Sequence, residues 1–78
     1  MYTTRVSNDT ETRTIARTFG LQEAIGASYD AMRVEHIPNQ YVDVWVEDER
    51  GMCKAAWVIL PTGFVEDVLV ENEPAFLV

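Results

Sequence analysis

Seventy-eight residues make one small domain, and a chain this short hides only a little more than about 60% of its unfolded surface on folding. Its composition, 47% hydrophobic and 24% charged, excludes a disordered tail on one side and a membrane span on the other. The formal charge of −7 is carried entirely beyond residue 34. Arg5, Arg13, Arg17 and Arg33 are cancelled by Asp9, Glu11, Glu23 and Asp30, whereas Glu35, Asp43, Glu47, Asp48, Glu49, Glu66, Asp67, Glu71 and Glu73 face only Arg50 and Lys54. Such a field repels nucleic acid and draws in basic protein surfaces.

Tyr2 to Ser7 alternates Tyr2, Thr4 and Val6 with Thr3, Arg5 and Ser7, the period of a half-buried strand. Asn8-Asp9 signals a turn, and the Thr-, Ile- and Phe-rich run from Thr10 to Phe19 predicts the returning strand of a hairpin, broken by Gly20. The period then changes. Leu21, Ala24, Ile25, Ser28, Ala31 and Met32 form one stripe of a helix over residues 21–34, with Thr18 as a candidate N-cap. Small residues at Ala24, Gly26, Ala27, Ser28 and Ala31 let that helix lie close to a sheet. The helix ends before Pro38, and His36-Ile37-Pro38-Asn39 leads into the next strand.

From Tyr41 to Glu47 the alternation is clean, with Val42, Val44 and Val46 on one face and Tyr41, Asp43, Trp45 and Glu47 on the other. Asp48-Glu49-Arg50-Gly51 reads as a type I turn with a left-handed glycine and a bulge. Counting outward from an Asp48–Met52 pair sets Val44 across from Ala56 and Asp43 across from Trp57. The predicted core is then Val42, Val44, Val46, Ala56, Val58 and Leu60, and Tyr41, Trp45, Trp57 and Ile59 form an aromatic face ringed by Asp43 and Glu47. A one-residue slip would instead send Trp57 into the core with Cys53 and Ala55. Pro61-Thr62-Gly63 is a second turn, and Phe64 to Val70 reads as an edge strand, with a short helix as the alternative. The terminal Phe76, Leu77 and Val78 are expected to dock on the sheet or on a neighbouring chain. The expected fold is α+β, a single domain over residues 1–78: one antiparallel sheet of about five strands in the order β-β-α-β-β-β with a helix across one face.

Residues 1–20 lack the apolar stretch of a signal peptide, and the single cysteine, Cys53, rules out an internal disulfide and fits a reducing compartment, so a cytoplasmic location is expected. No catalytic, cofactor or metal signature stands out. Asp43 and Glu47 are roughly 13 Å apart along a strand rising about 3.3 Å per residue, beyond the ~5 to 9.5 Å of paired-carboxylate chemistry. Asp48 and Glu49 lack the D-x-D-x-D-G pattern of a calcium loop, and no phosphate-binding glycine loop or nucleophile elbow is present. Arg13 and Arg17 share a face by strand parity, a modest basic patch that Glu11 offsets. Neither direct nucleic-acid binding nor a membrane role is expected.

The aromatic and acidic face remains. Tyrosine and tryptophan give large contact area at little entropic cost, and a rim of carboxylates selects a basic partner. Tyr41, Asp43, Trp45, Glu47, Asp48, Glu49 and Trp57 are therefore the candidate partner-binding residues. Two other uses of the face stay open: cover by the chain's own tail or first hairpin, and homodimerisation.

Two N-terminal strands, a helix opening Leu21-Gln22-Glu23-Ala24-Ile25 and a strand ending in the acid-and-glycine turn Val44-Trp45-Val46-Glu47-Asp48-Glu49-Arg50-Gly51 resemble small phage and mobile-element proteins of the anti-CRISPR type. The resemblance lies in the layout of residues 10–55. It implies a non-enzymatic inhibitor whose carboxylates stand in for phosphates on the basic nucleic-acid path of a host complex. The alternative is a homodimeric accessory domain whose aromatic face is its own interface.

Overall fold

The computed structural model describes residues 1–68, which form an α+β domain: β1 (Tyr2–Ser7), β2 (Thr12–Thr18), α1 (Leu21–Val34), β3 (Val42–Glu47), β4 (Cys53–Ile59) and β5 (Val65–Asp67). The strands make one antiparallel sheet in the order β2-β1-β3-β4-β5, with α1 across one face. The expected docking of Phe76, Leu77 and Val78 lies outside the described residues, as does the end of the predicted 64–70 strand. Within them, β5 is the short, exposed edge strand anticipated from Glu66 and Asp67.

The helix occupies the predicted span. Ala24, Ser28, Ala31 and Met32 are buried and Leu21 and Ile25 pack beside them, as the stripe requires. Two details differ from expectation. Gly20, not Thr18, is the N-cap, and the Thr18 hydroxyl donates to the Gly20 carbonyl. Gly26 is on the exposed side of the helix, so it does nothing for the close approach to the sheet. That approach is held instead by two buried hydroxyls. Ser28 Oγ and Thr4 Oγ1 both donate to the Ala24 carbonyl, at 3.0 and 3.3 Å, which satisfies the only buried polar side chains beneath the helix among the described residues and pins β1 to α1.

Three turns follow their sequence chemistry. Ile37-Pro38-Asn39-Gln40 closes with Gln40 N–H donating to Ile37 O, and Asn39 at φ 69° supplies the left-handed residue that a type II turn demands after proline. Asp48-Glu49-Arg50-Gly51 and Leu60-Pro61-Thr62-Gly63 repeat one geometry: the glycine N–H donates to the carbonyl three residues back, and the glycine takes φ of 77° and 97°.

The register of β3 on β4 departs from the outward count. Glu47 pairs with Cys53 as that count requires, but Val46 pairs with Ala55, so the ladder skips Lys54 and bulges there. Beyond it every residue of β4 changes face relative to the prediction. Trp57 and Ile59 join Val6, Val42, Val44, Val46, Ala24, Ala31 and Met32 in the core under the helix, and Ala56 turns to the opposite side. Val58 and Leu60, expected in the core, are only half-buried. The slip alternative was half right, since Trp57 and Ala55 go to the helix side while Cys53, which precedes the bulge, does not. A second bulge leaves Ile15 of β2 unpaired between Thr14 and Ala16. Arg13, opposite Val6, and Arg17, opposite Thr3, therefore lie on different faces, and the basic patch read from parity does not form.

Candidate interaction face

Turned from the helix, β3 presents Asp43, Trp45 and Glu47, flanked by Ser7, Arg5 and Thr3 of β1 and by Val58, Ala56 and Cys53 of β4. The predicted contact residues are thus divided. Tyr41, just before β3, is 61% exposed; Trp45 is buried on this face; Trp57 is on the other face, in the helix-side core, with its ring 5.6 Å from that of Tyr29. The three aromatics do not make one surface.

The four acids are divided as well. Glu47 pairs with Arg5 at 3.6 Å, and the Arg5 guanidinium lies 5.9 Å from the Trp45 ring centroid, so one cation serves both neighbours. Asp48 caps its own turn. Its carboxylate accepts from the backbone N–H groups of Met52 and Arg50 and faces Lys54 at 3.8 Å, and the Met52 bond foremost holds its carboxyl below the usual range. Glu49 binds the N-terminal ammonium, and that hydrogen bond lowers its carboxyl too. Asp43 differs from all three. It has no cation and no hydrogen-bond donor among the described residues, and burial pushes its carboxyl above the ordinary range.

Beside Asp43 lies a small cavity of about 70 Å³, lined among the described residues by Asp43, Val44, Trp45, Ala56, Trp57 and Val68. Its walls are almost wholly apolar. Trp45, only 8% exposed, leaves its Nε1–H buried without an acceptor among the described residues. Cys53 and Ala56 complete the buried cluster on this side, with Val68 packed against it. Sequence reading placed Asp43 and Trp45 on the same face but had no signal for the cavity, because Val68 and Ala56 reach it only through the Lys54 bulge and the β4–β5 pairing.

Among the described residues no group of His, Cys, Asp and Glu is arranged to hold a metal ion, and no helix is long and apolar enough to cross a membrane. His36 is used structurally, with Nε2 2.8 Å from the Pro61 carbonyl, tying the helix exit to the second glycine turn. No family model matches the chain, and neither a curated protein nor a solved structure matches it.

Proposed function

We propose that this protein is a non-enzymatic, acidic protein-binding module that docks on a basic surface, of which an inhibitor of the anti-CRISPR type, acting at a host complex's nucleic-acid path, is the most concrete form. The observation that carries the reading is Asp43: a half-buried carboxylate with no cation among the described residues, in a chain of net charge −7, next to the exposed ring of Tyr41. A carboxylate kept partly dry without a partner of its own is unfavourable in the free protein and favourable once a cation is brought to it.

Glu47, Asp48 and Glu49 enter differently than their sequence neighbourhood suggests. Each is already matched inside the chain, so they shape the turn and the sheet end more than they offer free charge. Glu66, cross-strand from Val58 and so on the Asp43 face, is exposed and has no cation among the described residues. The working surface is then Tyr41, Asp43, Trp45 and Glu66. Trp57, inside the helix-side core, is not part of it.

A photo-crosslinking residue at Tyr41, introduced in cells carrying an active CRISPR system, tests this. The expected result is one basic protein captured, with capture lost in Asp43→Lys with Glu66→Lys and weakened by added salt. Capture that survives both the charge reversal and high salt would sink the reading. A homodimer is the competing outcome, and sedimentation at micromolar concentration separates it from a monomer that needs a different partner.

A further inference from the structure

We infer that the cavity between Asp43, Trp45, Ala56 and Val68 is a subsite for a lysine side chain of the partner, taking the methylene stem along its apolar wall and the ammonium at Asp43. This rests on the protein-binding reading above and names what that surface recognises.

Three observations converge on it. The cavity's only carboxylate among its described lining residues is Asp43, which meets no cation there, while every other acid of the β3 strand and its turn has one. The remaining wall is aliphatic and indole, a surface that suits four methylenes rather than a polar ligand. The Trp45 side chain that lines the cavity carries a buried Nε1–H with no acceptor among the described residues, so its indole signal reports on whether the cavity is filled. The choice of ammonium over guanidinium follows from the single carboxylate and the small volume. One acid in a cavity of about 70 Å³ matches a compact point charge on a flexible stem better than a planar fork that seeks two acceptors. The Glu47 end of Trp45's surroundings is already served by a cation, Arg5, whereas the Asp43 end has none among the described residues.

The test uses the full chain and needs no partner. N-acetyl-lysine N-methylamide, which carries both the ammonium and two carbonyls, is titrated into ¹⁵N-labelled protein at constant ionic strength, and the Trp45 indole N–H is followed, identified by its loss in Trp45→Phe. The expected result is a saturable shift in the millimolar range, at least about tenfold tighter than for the norleucine counterpart, which has the same stem without the charge. Asp43→Asn is expected to abolish the difference between the two probes, and Asp30→Asn, an exposed acid on the helix, to keep it. Equal response to the two probes, no response to either, a preference that survives Asp43→Asn, or nuclear Overhauser contacts from the Trp45 indole to residues 69–78 would each overturn the inference. A partner captured by cross-linking to a chain whose cavity ignores the lysine probe overturns this inference alone. A cavity that takes the probe in a chain that captures nothing overturns the protein-binding reading and leaves an amine site.

Discussion

Each face of the sheet holds one tryptophan, both 8% exposed, and the two are kept from water by different means. Trp57 lies among valines, Ile59 and the helix, with Tyr29 reaching over its ring. Trp45 clusters, among the described residues, with Cys53, Ala56 and Val68, with a guanidinium near its ring and an indole N–H that meets no acceptor there. The helix face is closed by the fold itself and holds it together. The opposite face is built from the same strands yet keeps, among the described residues, an unmatched acid, an unmatched donor and a cavity. Unsatisfied groups of this kind lower stability, and proteins retain them where a site needs them.

Truncating one side chain on each face breaks the comparison most directly. Trp57→Ala empties the helix-side core and should cost about 3–5 kcal/mol in urea unfolding, enough to threaten a domain this small. On the other face, Arg5→Ala removes the cation near Trp45 and the partner of Glu47, and is expected to cost only about 1 kcal/mol, reduced further by salt. If the two losses proved equal, the faces would not differ as described. Gly26→Ala sharpens the contrast from outside the core. Nothing lies within 4 Å of the added methyl, so a gain of about 0.5–1 kcal/mol in helix stability is expected, and a loss would mean that Gly26 has a contact of its own.

The smallest effect is the most telling for function. Burial holds the native Asp43 carboxyl above the 3.8 of an ordinary aspartate, so the folded chain keeps that proton more tightly than the unfolded one. Stability is therefore lost as pH rises from about 3.8 through the native value, and the loss persists at neutral pH. Asp43→Asn should be slightly more stable than wild type at pH 7 by thermal unfolding, with the difference fading below pH 3.8. A variant less stable at pH 7 would mean that the carboxylate is structurally matched after all.

The element order, the helix span and the glycine turns were legible in the sequence because each rests on local chemistry: a stripe at i, i+3, i+4, a glycine three residues after Asp48, a proline two residues before Gly63. The faces were not. Period-2 alternation fixes which residues share a side only while the ladder is unbroken, and Ile15 and Lys54, the residues the ladders skip, carry no composition that marks them as bulges. One separated Arg13 from Arg17 and the other moved Trp57 under the helix. The candidate face was half visible for the same reason: Asp43 and Trp45 are on a strand with no bulge between them, whereas Ala56 and Val68 arrive from beyond one. The double use of the Ala24 carbonyl by Thr4 and Ser28 left no trace either: alternation puts Thr4 on the side of Val6, but nothing in the sequence marks Ala24 as the acceptor.

The strand order also governs the sequence of events during synthesis. β1 is made first but sits in the second position of the sheet, between β2 and a strand that follows the helix; Thr3 pairs with Glu47. The first hairpin can zip as soon as it leaves the ribosome, because its partners are close along the chain. Its inner edge then waits, with bare amide and carbonyl groups, for the helix and β3 to be translated. The β1–β3 contact joins residues far apart in the sequence, and pairing over such a separation is intrinsically slower than closing a hairpin and leaves an edge open to the wrong strand meanwhile.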